Sequence, residues 1–363
     1  MIIPETMQGV YLTGHGGFET LVFSTDIPVP TPKAGEVLIR VKGAGVNNTD
    51  INTRTAWYSK AVTTATEAGA GAESGFDSSA EDDGSWSGEP LQFPMIQGAD
   101  CCGYVVAVGE GVPESRIGER VLVRTMQAAT ATDENYQCIT LGSELNGAFA
   151  QYMTAASHHS LKVECDWSDA ELASIPCAYS TAEGMLHRAA VGKETVLITG
   201  ASGGVGSAAI QLAKRRGATV IAVSAATKAD AVKALGADQV VDRNCDLVAT
   251  LGKNAVDVVV DLVAGPAWPS LLEVLKGGGR YVASGAIAGP IVELDVRTLY
   301  LKDLSLLGST YQSDVVFENL IGYIERGEIR PVVAKTYPLK NIVEAQTDFL
   351  AKKHTGKLVL IPE

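Results

Sequence analysis

The chain has 363 residues, 46% of them hydrophobic, enough for two domains of about 150 residues each. Its net charge of −13 argues against nucleic acid or an anionic membrane surface as a partner. No apolar run approaches the ~20 residues of a membrane span, and Met1-Ile2-Ile3-Pro4-Glu5-Thr6 has neither part of an export signal, so a cytoplasmic protein is expected.

The predicted elements begin with short alternating strands at Glu36–Val41, Gly103–Gly109 and Gly118–Val123, separated by turn residues. Residues 59–90 differ in kind. Ala65–Ala72 is a run of small residues and Ser74–Ser85 is acidic, so little there supports a core. Two readings fit this stretch: a solvated surface insertion, or a lid over a substrate cleft with Trp57, Tyr58 and Trp86 as its apolar contacts. Cys101, Cys102, Cys138, Cys165, Cys177 and Cys245 show no disulfide spacing, which suits a reducing compartment. Adjacent residues in a strand point to opposite faces, so Cys101 and Cys102 read as buried structural thiols.

Thr195–Thr199 is a buried-strand pattern that runs into Gly200-Ala201-Ser202-Gly203-Gly204-Val205-Gly206 and then a helix from Ser207. Strand, glycine turn and helix in that order aim the free N–H groups of a helix N-terminus at a diphosphate. Ser202, Gly203, Gly204 and Val205 are its expected contacts. Further strands read at Ala218–Val223, Asp238–Asp242, Val256–Val263, Gly279–Gly285 and Asp303–Gly308, with helical spacing at Lys228–Leu235. This alternation predicts an α/β fold with a doubly wound parallel sheet.

Cofactor choice follows from the end of the second strand. An NAD enzyme carries an acid there for the ribose 2′-OH. This chain has Ser224, followed by Thr227 and Lys228, with Arg243 as a second cation, and that set suits the 2′-phosphate of NADPH. Val263, and then Ser284, Gly285 and Ala286, follow the fourth and fifth strands at the carboxyl edge where such sheets bind ligands. Helices at Asp314–Arg326 and Asn341–Lys352 and a strand at Gly356–Ile361 close the chain. The expected organisation is a β-rich domain from residues 1–170 plus 312–363, carrying the insertion 59–90, with a dinucleotide-binding Rossmann domain at 171–311.

Several ordered motifs carry a resemblance: Gly45-Val46-Asn47-Asn48-Thr49-Asp50, Gly98-Ala99-Asp100-Cys101-Cys102-Gly103, Gly118-Glu119-Arg120-Val121, the stretch Ala173–Ala182, the glycine turn, and Gly356-Lys357-Leu358-Val359-Leu360-Ile361-Pro362. Together they resemble the medium-chain dehydrogenase/reductase superfamily, in particular its zinc-free quinone oxidoreductase-like branch. The resemblance implies a GroES-like catalytic domain around the Rossmann unit, a homodimer or homotetramer, and NADPH-dependent reduction of a small-molecule quinone or α,β-unsaturated carbonyl. The zinc-ligand positions of the family's alcohol dehydrogenases fall on Asn47, Ala99 and Cys177. Only Cys177 supplies a thiolate, so no metal is expected.

By the same resemblance, Asn47 is the amide whose NH2 donates to the acceptor oxygen. Thr49 is a hydroxyl near the nicotinamide ribose, and Thr181 a hydroxyl that contacts the nicotinamide. Where some relatives place a tyrosine proton donor this chain has Asn52, which leaves Tyr58 as the candidate replacement. Two other functions stay open: an alcohol dehydrogenase, zinc-dependent because Cys177 survives, or an NADPH-binding structural or regulatory protein without turnover. A short-chain dehydrogenase is excluded, since no Tyr has a Lys four positions later.

Overall fold

Val37, Leu38, Ile39, Val41 and Ala44 are all buried, so the strand that contains them, Glu36–Gly45, is covered on both faces and lies inside a sheet. The computed structural model describes residues 2–66, 71–76, 84–128 and 136–363; residues 67–70 of the small-residue run and 77–83 of the acidic run lie outside the described residues. Glu36–Gly45 pairs antiparallel with Cys102–Val108, with Tyr152–Ala156 and, at its carboxyl end, with Lys357–Ile361. Arg120–Val123 and Ser160–Lys162 extend the sheet on one side, and Val333–Pro338 extends it on the other. A second sheet of Leu21–Pro28, Thr6–Leu12 and Met95–Ile96 packs into the same core.

The nucleotide half is a six-stranded parallel sheet. Its strands, in chain order, are Thr195–Ile198, Thr219–Ser224, Gln239–Asp242, Val256–Asp261, Leu275–Ala283 and Ser305–Gly308. They lie side by side in the order third, second, first, fourth, fifth, sixth, which is the Rossmann arrangement. Val196, Leu197, Val258, Val259 and Val260 are buried, as strands sandwiched between helices require. The doubly wound α/β reading holds.

The chain divides into two compact units. One comprises Met1–Val62, Gly69–Cys177 and Phe317–Glu363; the other comprises Thr63–Ala68 and Ala178–Val316. The change of unit at Cys177 falls inside helix Pro176–Arg188, an element that composition alone did not mark. Among the described residues no helix is long and apolar enough to cross a membrane.

The described parts of residues 59–90 are mixed: Val62, Ala72 and Ser85 are buried, while Lys60, Ala61, Thr63, Thr64, Glu73, Ser74 and residues 87–90 are exposed. Arg54, fully buried, donates to Ala72 O at 3.0 Å, Glu73 O at 3.3 Å, Gly16 O at 2.8 Å and Gln346 Oε1 at 3.0 Å, and its guanidinium lies 4.5 Å from the Phe18 ring centroid. A buried guanidinium needs such a set of acceptors to offset its lost hydration. The stretch around Ala72 and Glu73 is therefore fastened to its unit by a side chain from the helix Asn48–Arg54.

Candidate active site

The long strand Glu36–Gly45 runs straight into Val46, Asn47 and the helix Asn48–Arg54. Gly45 is small for a reason: a Cβ there would stand 2.2 Å from Asp100 Oδ2. The close approach brings Asp100 against Asn47, whose Nδ2 donates to Asp100 Oδ2 at 2.8 Å and to Gly45 O at 3.3 Å. Lys357 arrives by sheet register. Val359 pairs with Gly45 and Leu360 with Ala44 in an antiparallel ladder, so two residues further along Lys357 faces Asn47. Its Nζ reaches Asp100 Oδ2 at 2.8 Å, Val46 O at 3.2 Å and Asn47 Oδ1. Asp100 Oδ1 accepts from the Cys177 N–H at 2.5 Å, at the N-terminal end of helix Pro176–Arg188, where a carboxylate is favoured.

In this network both N–H groups of Asn47 and its carbonyl oxygen have partners within the buried cluster, the contact to Gly45 O being the longest. The donors do not fit a catalytic zinc. The three family ligand positions hold an engaged amide, a methyl group at Ala99 and one thiol, and the Lys357 ammonium sits on the same carboxylate as the Cys177 N–H. Among the described residues, no three His, Cys, Asp or Glu side chains are grouped as a metal site.

Asp50 belongs to the same cluster. Its Oδ2 accepts from the Asn47 N–H at 2.8 Å, while Oδ1 is buried with no partner among the described residues. Burial raises its carboxyl to about 7; the Asn47 N–H opposes the rise, the Asp100 charge adds to it, and Lys357 opposes it. The unfolded carboxyl ionises near its ordinary 3.8, so the folded protein holds this proton longer. Stability from that proton is whole below about pH 4 and is lost as the pH rises to about 7. Asp50→Asn, uncharged throughout, should therefore gain stability relative to the parent protein across that window. Urea unfolding at both ends of the window measures this, and a difference that does not change with pH would contradict it.

Thr49, Asn52 and Tyr58 are brought together. They share one stretch around the helix Asn48–Arg54, in which Thr49 and Asn52 are one turn apart and face the same way. Both side chains bear on the Tyr58 hydroxyl and lower its pKa; desolvation, the larger effect, raises it, and Cys177 and Asp50 add to the rise. Thr49 Oγ1 and Asn52 Oδ1 are buried without a complete hydrogen bond among the described residues. Of the two, the Thr49 hydroxyl can donate to a ligand's oxygen, whereas Asn52 Oδ1 only accepts. Trp57 and Trp86 meet the Tyr58 ring edge-on, with centroids 5.8 and 4.9 Å away.

In the other unit the glycine turn suits a dinucleotide. Gly200 has φ +57°, and a Cβ on Gly206 would stand 2.3 Å from Gly200 O, so turn and helix close tightly. Helix Gly204–Arg215 starts after Gly203, with Ser202, Gly204 and Val205 half-buried and Gly203 exposed at its N-terminal end. Ser224, buried, ends the second strand, and its carbonyl accepts from the Arg243 N–H at 2.9 Å. Lys228 lies close enough to Arg243 that, after burial, the Arg243 charge lowers its pKa further. Thr227 is exposed beside them. Asp242, on the neighbouring strand, caps this turn by accepting from the Ala226 N–H at 3.0 Å.

Val263, Ser284, Gly285 and Ala286 are half-buried in the loops that follow the fourth and fifth strands. Asp261, which sequence reasoning passed over, shapes the first of these loops. Its carboxylate accepts from Thr199 Oγ1 at 2.5 Å, Tyr281 Oη at 2.6 Å, the Val263 N–H at 2.9 Å and the Ala264 N–H at 3.1 Å. Four donors on one buried carboxylate join the end of the first strand to the loop that carries Val263. Thr66 also touches this unit, donating its N–H to Ile287 O at 3.1 Å, just past Ala286. Thr181, half-buried, follows Cys177 by one turn of its helix.

A β-rich unit with a GroES-like sheet and a Rossmann unit define an oxidoreductase with a nicotinamide cofactor. Comparison with known proteins places it further. The "Alcohol dehydrogenase GroES-like domain" family matches residues 33–165 and the "Zinc-binding dehydrogenase" family residues 204–326. A solved structure from Sinorhizobium meliloti 1021, assigned to the alcohol dehydrogenases, is 45% identical, covers 99% of this chain and 98% of its own, and has a TM-score of 0.89. A quinone oxidoreductase of Lama guanicoe is 29% identical over 98% of this chain and 97% of its own length. An acryloyl-coenzyme A reductase of Metallosphaera sedula is 28% identical over 98% and 99%. The chain belongs to the medium-chain dehydrogenase/reductase superfamily and aligns with its quinone oxidoreductase-like branch.

Proposed function

We propose that this oxidoreductase uses NADPH, without a metal, to reduce a quinone or an α,β-unsaturated carbonyl. The observation that carries the reading is the Tyr58 hydroxyl, set against Thr49 and Asn52 next to a family zinc position whose residues suit no metal. Held by the glycine turn at Ser202–Val205 and by Ser224, Lys228 and Arg243, NADPH would supply hydride, two electrons with one hydrogen, to the acceptor. The acceptor also needs a proton, and Tyr58 is placed to give it from its phenol, with the Thr49 hydroxyl beside it to restore that proton from solvent. A conjugated acceptor spreads the incoming charge over several atoms, so one phenol and a nearby hydroxyl can support it where a simple alkoxide would need more. Relatives that reduce quinones and an acryloyl thioester support this acceptor class.

Lys228 and Arg243 lie beside Ser224, and the acid of that turn, Asp242, is engaged by the Ala226 and Asn244 N–H groups. One charge-assisted pairing is worth roughly 1.5–3 kcal/mol, so NADPH should bind at least about tenfold more tightly than NADH. Titration of both cofactors measures the ratio, and equal dissociation constants would sink the NADPH reading. Ser224→Asp together with Lys228→Ala should narrow or reverse the preference. Consumption of NADPH on addition of a quinone or enone tests the acceptor half.

A further inference from the structure

The loop around Trp86 is tied down on one side and presses on Tyr58 on the other. The Ser87 N–H donates to Glu144 Oε1 at 3.0 Å, and the other oxygen of Glu144 accepts from the Thr140 N–H at 2.8 Å. Ser85 and Ser87 share a hydroxyl contact of 3.1 Å, and the Gly88 N–H closes the turn on Ser85 O at 3.3 Å. Burial raises the pKa of the Cys138 thiol, on the strand next to Glu144, and the neighbouring Trp86 side chain opposes that rise. The turn is therefore anchored on Glu144, which also holds Thr140, with Cys138 beside Trp86.

From this platform Trp86 meets the Tyr58 ring at 4.9 Å and 75°, while Trp57 meets it at 5.8 Å and 70°. Two edge-to-face neighbours restrict how a phenol ring can turn. The restriction matters because the Tyr58 hydroxyl has to stay on Thr49 and Asn52.

We propose that Trp86 is a positioning residue for the reaction: held by the turn anchored on Glu144, it fixes the ring of Tyr58 so that its hydroxyl stays aimed at Thr49 and Asn52. The inference rests on Tyr58 as the proton donor. It makes the segment before strand Met95–Ile96 part of the catalytic apparatus, acting through another side chain rather than on the substrate.

A double-mutant cycle on kcat tests it. One aromatic pair is worth about a three- to tenfold change, so Trp86→Ala should lower kcat by that factor with the NADPH dissociation constant unchanged. Trp86→Phe, which keeps a ring at the contact, should restore most of the loss. In a Tyr58→Phe background, Trp86→Ala should change kcat by less than about twofold. Glu144→Gln, remote from the phenol, should give a weaker form of the Trp86→Ala effect and lose it in the same background. An equal loss with and without the Tyr58 hydroxyl, or no loss from Trp86→Ala, would overturn the inference.

Tyr58→Phe with undiminished kcat overturns the proton-donor reading and, with it, a positioning role for Trp86 in the reaction. Where Tyr58→Phe does lower kcat, the fluorine NMR line of 3-fluorotyrosine at position 58 tests the fixing of the ring independently of the rate. That line should broaden or split in Trp86→Ala if Trp86 fixes the ring, and an unchanged line would overturn the inference.

Discussion

Lys357→Met should destabilise the protein by about 3–5 kcal/mol, the cost of leaving a buried charge without its partner. Lys357 and Asp100 are almost completely buried and 2.8 Å apart, and Asp100 also holds Asn47 and the Cys177 N–H. Removing the ammonium strands the Asp100 carboxylate among an amide, a backbone N–H and hydrocarbon. Asp100→Asn should cost a similar amount in the opposite sense, since the lysine is then left alone. The double variant should recover much of the loss, because no uncompensated charge remains. Urea unfolding of the four proteins measures the cycle. Because the chain has two units, unfolding should be followed by a probe in the β-rich one. Additive losses would show that the two charges do not depend on each other.

Tyr58→Phe should lower kcat by about a hundredfold or more, the usual worth of a positioned general acid, with NADPH affinity nearly unchanged. Desolvation holds the phenol above its ordinary value of about 10, so it stays protonated through neutral and mildly alkaline solution. The rate should accordingly show no alkaline fall from this group below about pH 9. A Tyr58→Phe enzyme as fast as the parent would show that the proton comes from elsewhere. Thr49→Val should give a smaller loss, because it touches the resupply of the proton and not the group that gives it.

The nucleotide unit was legible because its signals are local. Each strand of the parallel sheet is a short apolar run, and the glycine turn, Ser224 and Lys228 lie within 35 residues of one another. The strand Glu36–Gly45 was read too short, since Lys42 and the small residues after Val41 break the apolar pattern while the backbone continues to pair. Asn47 was singled out, but not its partners, which come from positions 53 and 310 residues away and leave no local signal. Lys357 could have been suspected only from the register of the last strand, a property of the assembled sheet. The aromatic residues around 57 and 86 stood out against a polar, small-residue segment. That Arg54 would bury itself beneath that segment left no trace in composition.

The most direct test is a comparison of initial rates for the purified, chelator-treated protein. NADPH-dependent reduction of a panel of quinones and enones is set against oxidation of ethanol and benzyl alcohol with NADP+. A primary alcohol must lose its proton as hydride leaves, and without a metal to stabilise the alkoxide that route is disfavoured. The account predicts that at least one quinone or enone is reduced faster than either alcohol is oxidised, at a rate chelation does not change. Faster alcohol oxidation, or activity that disappears with about one zinc per chain, would contradict it.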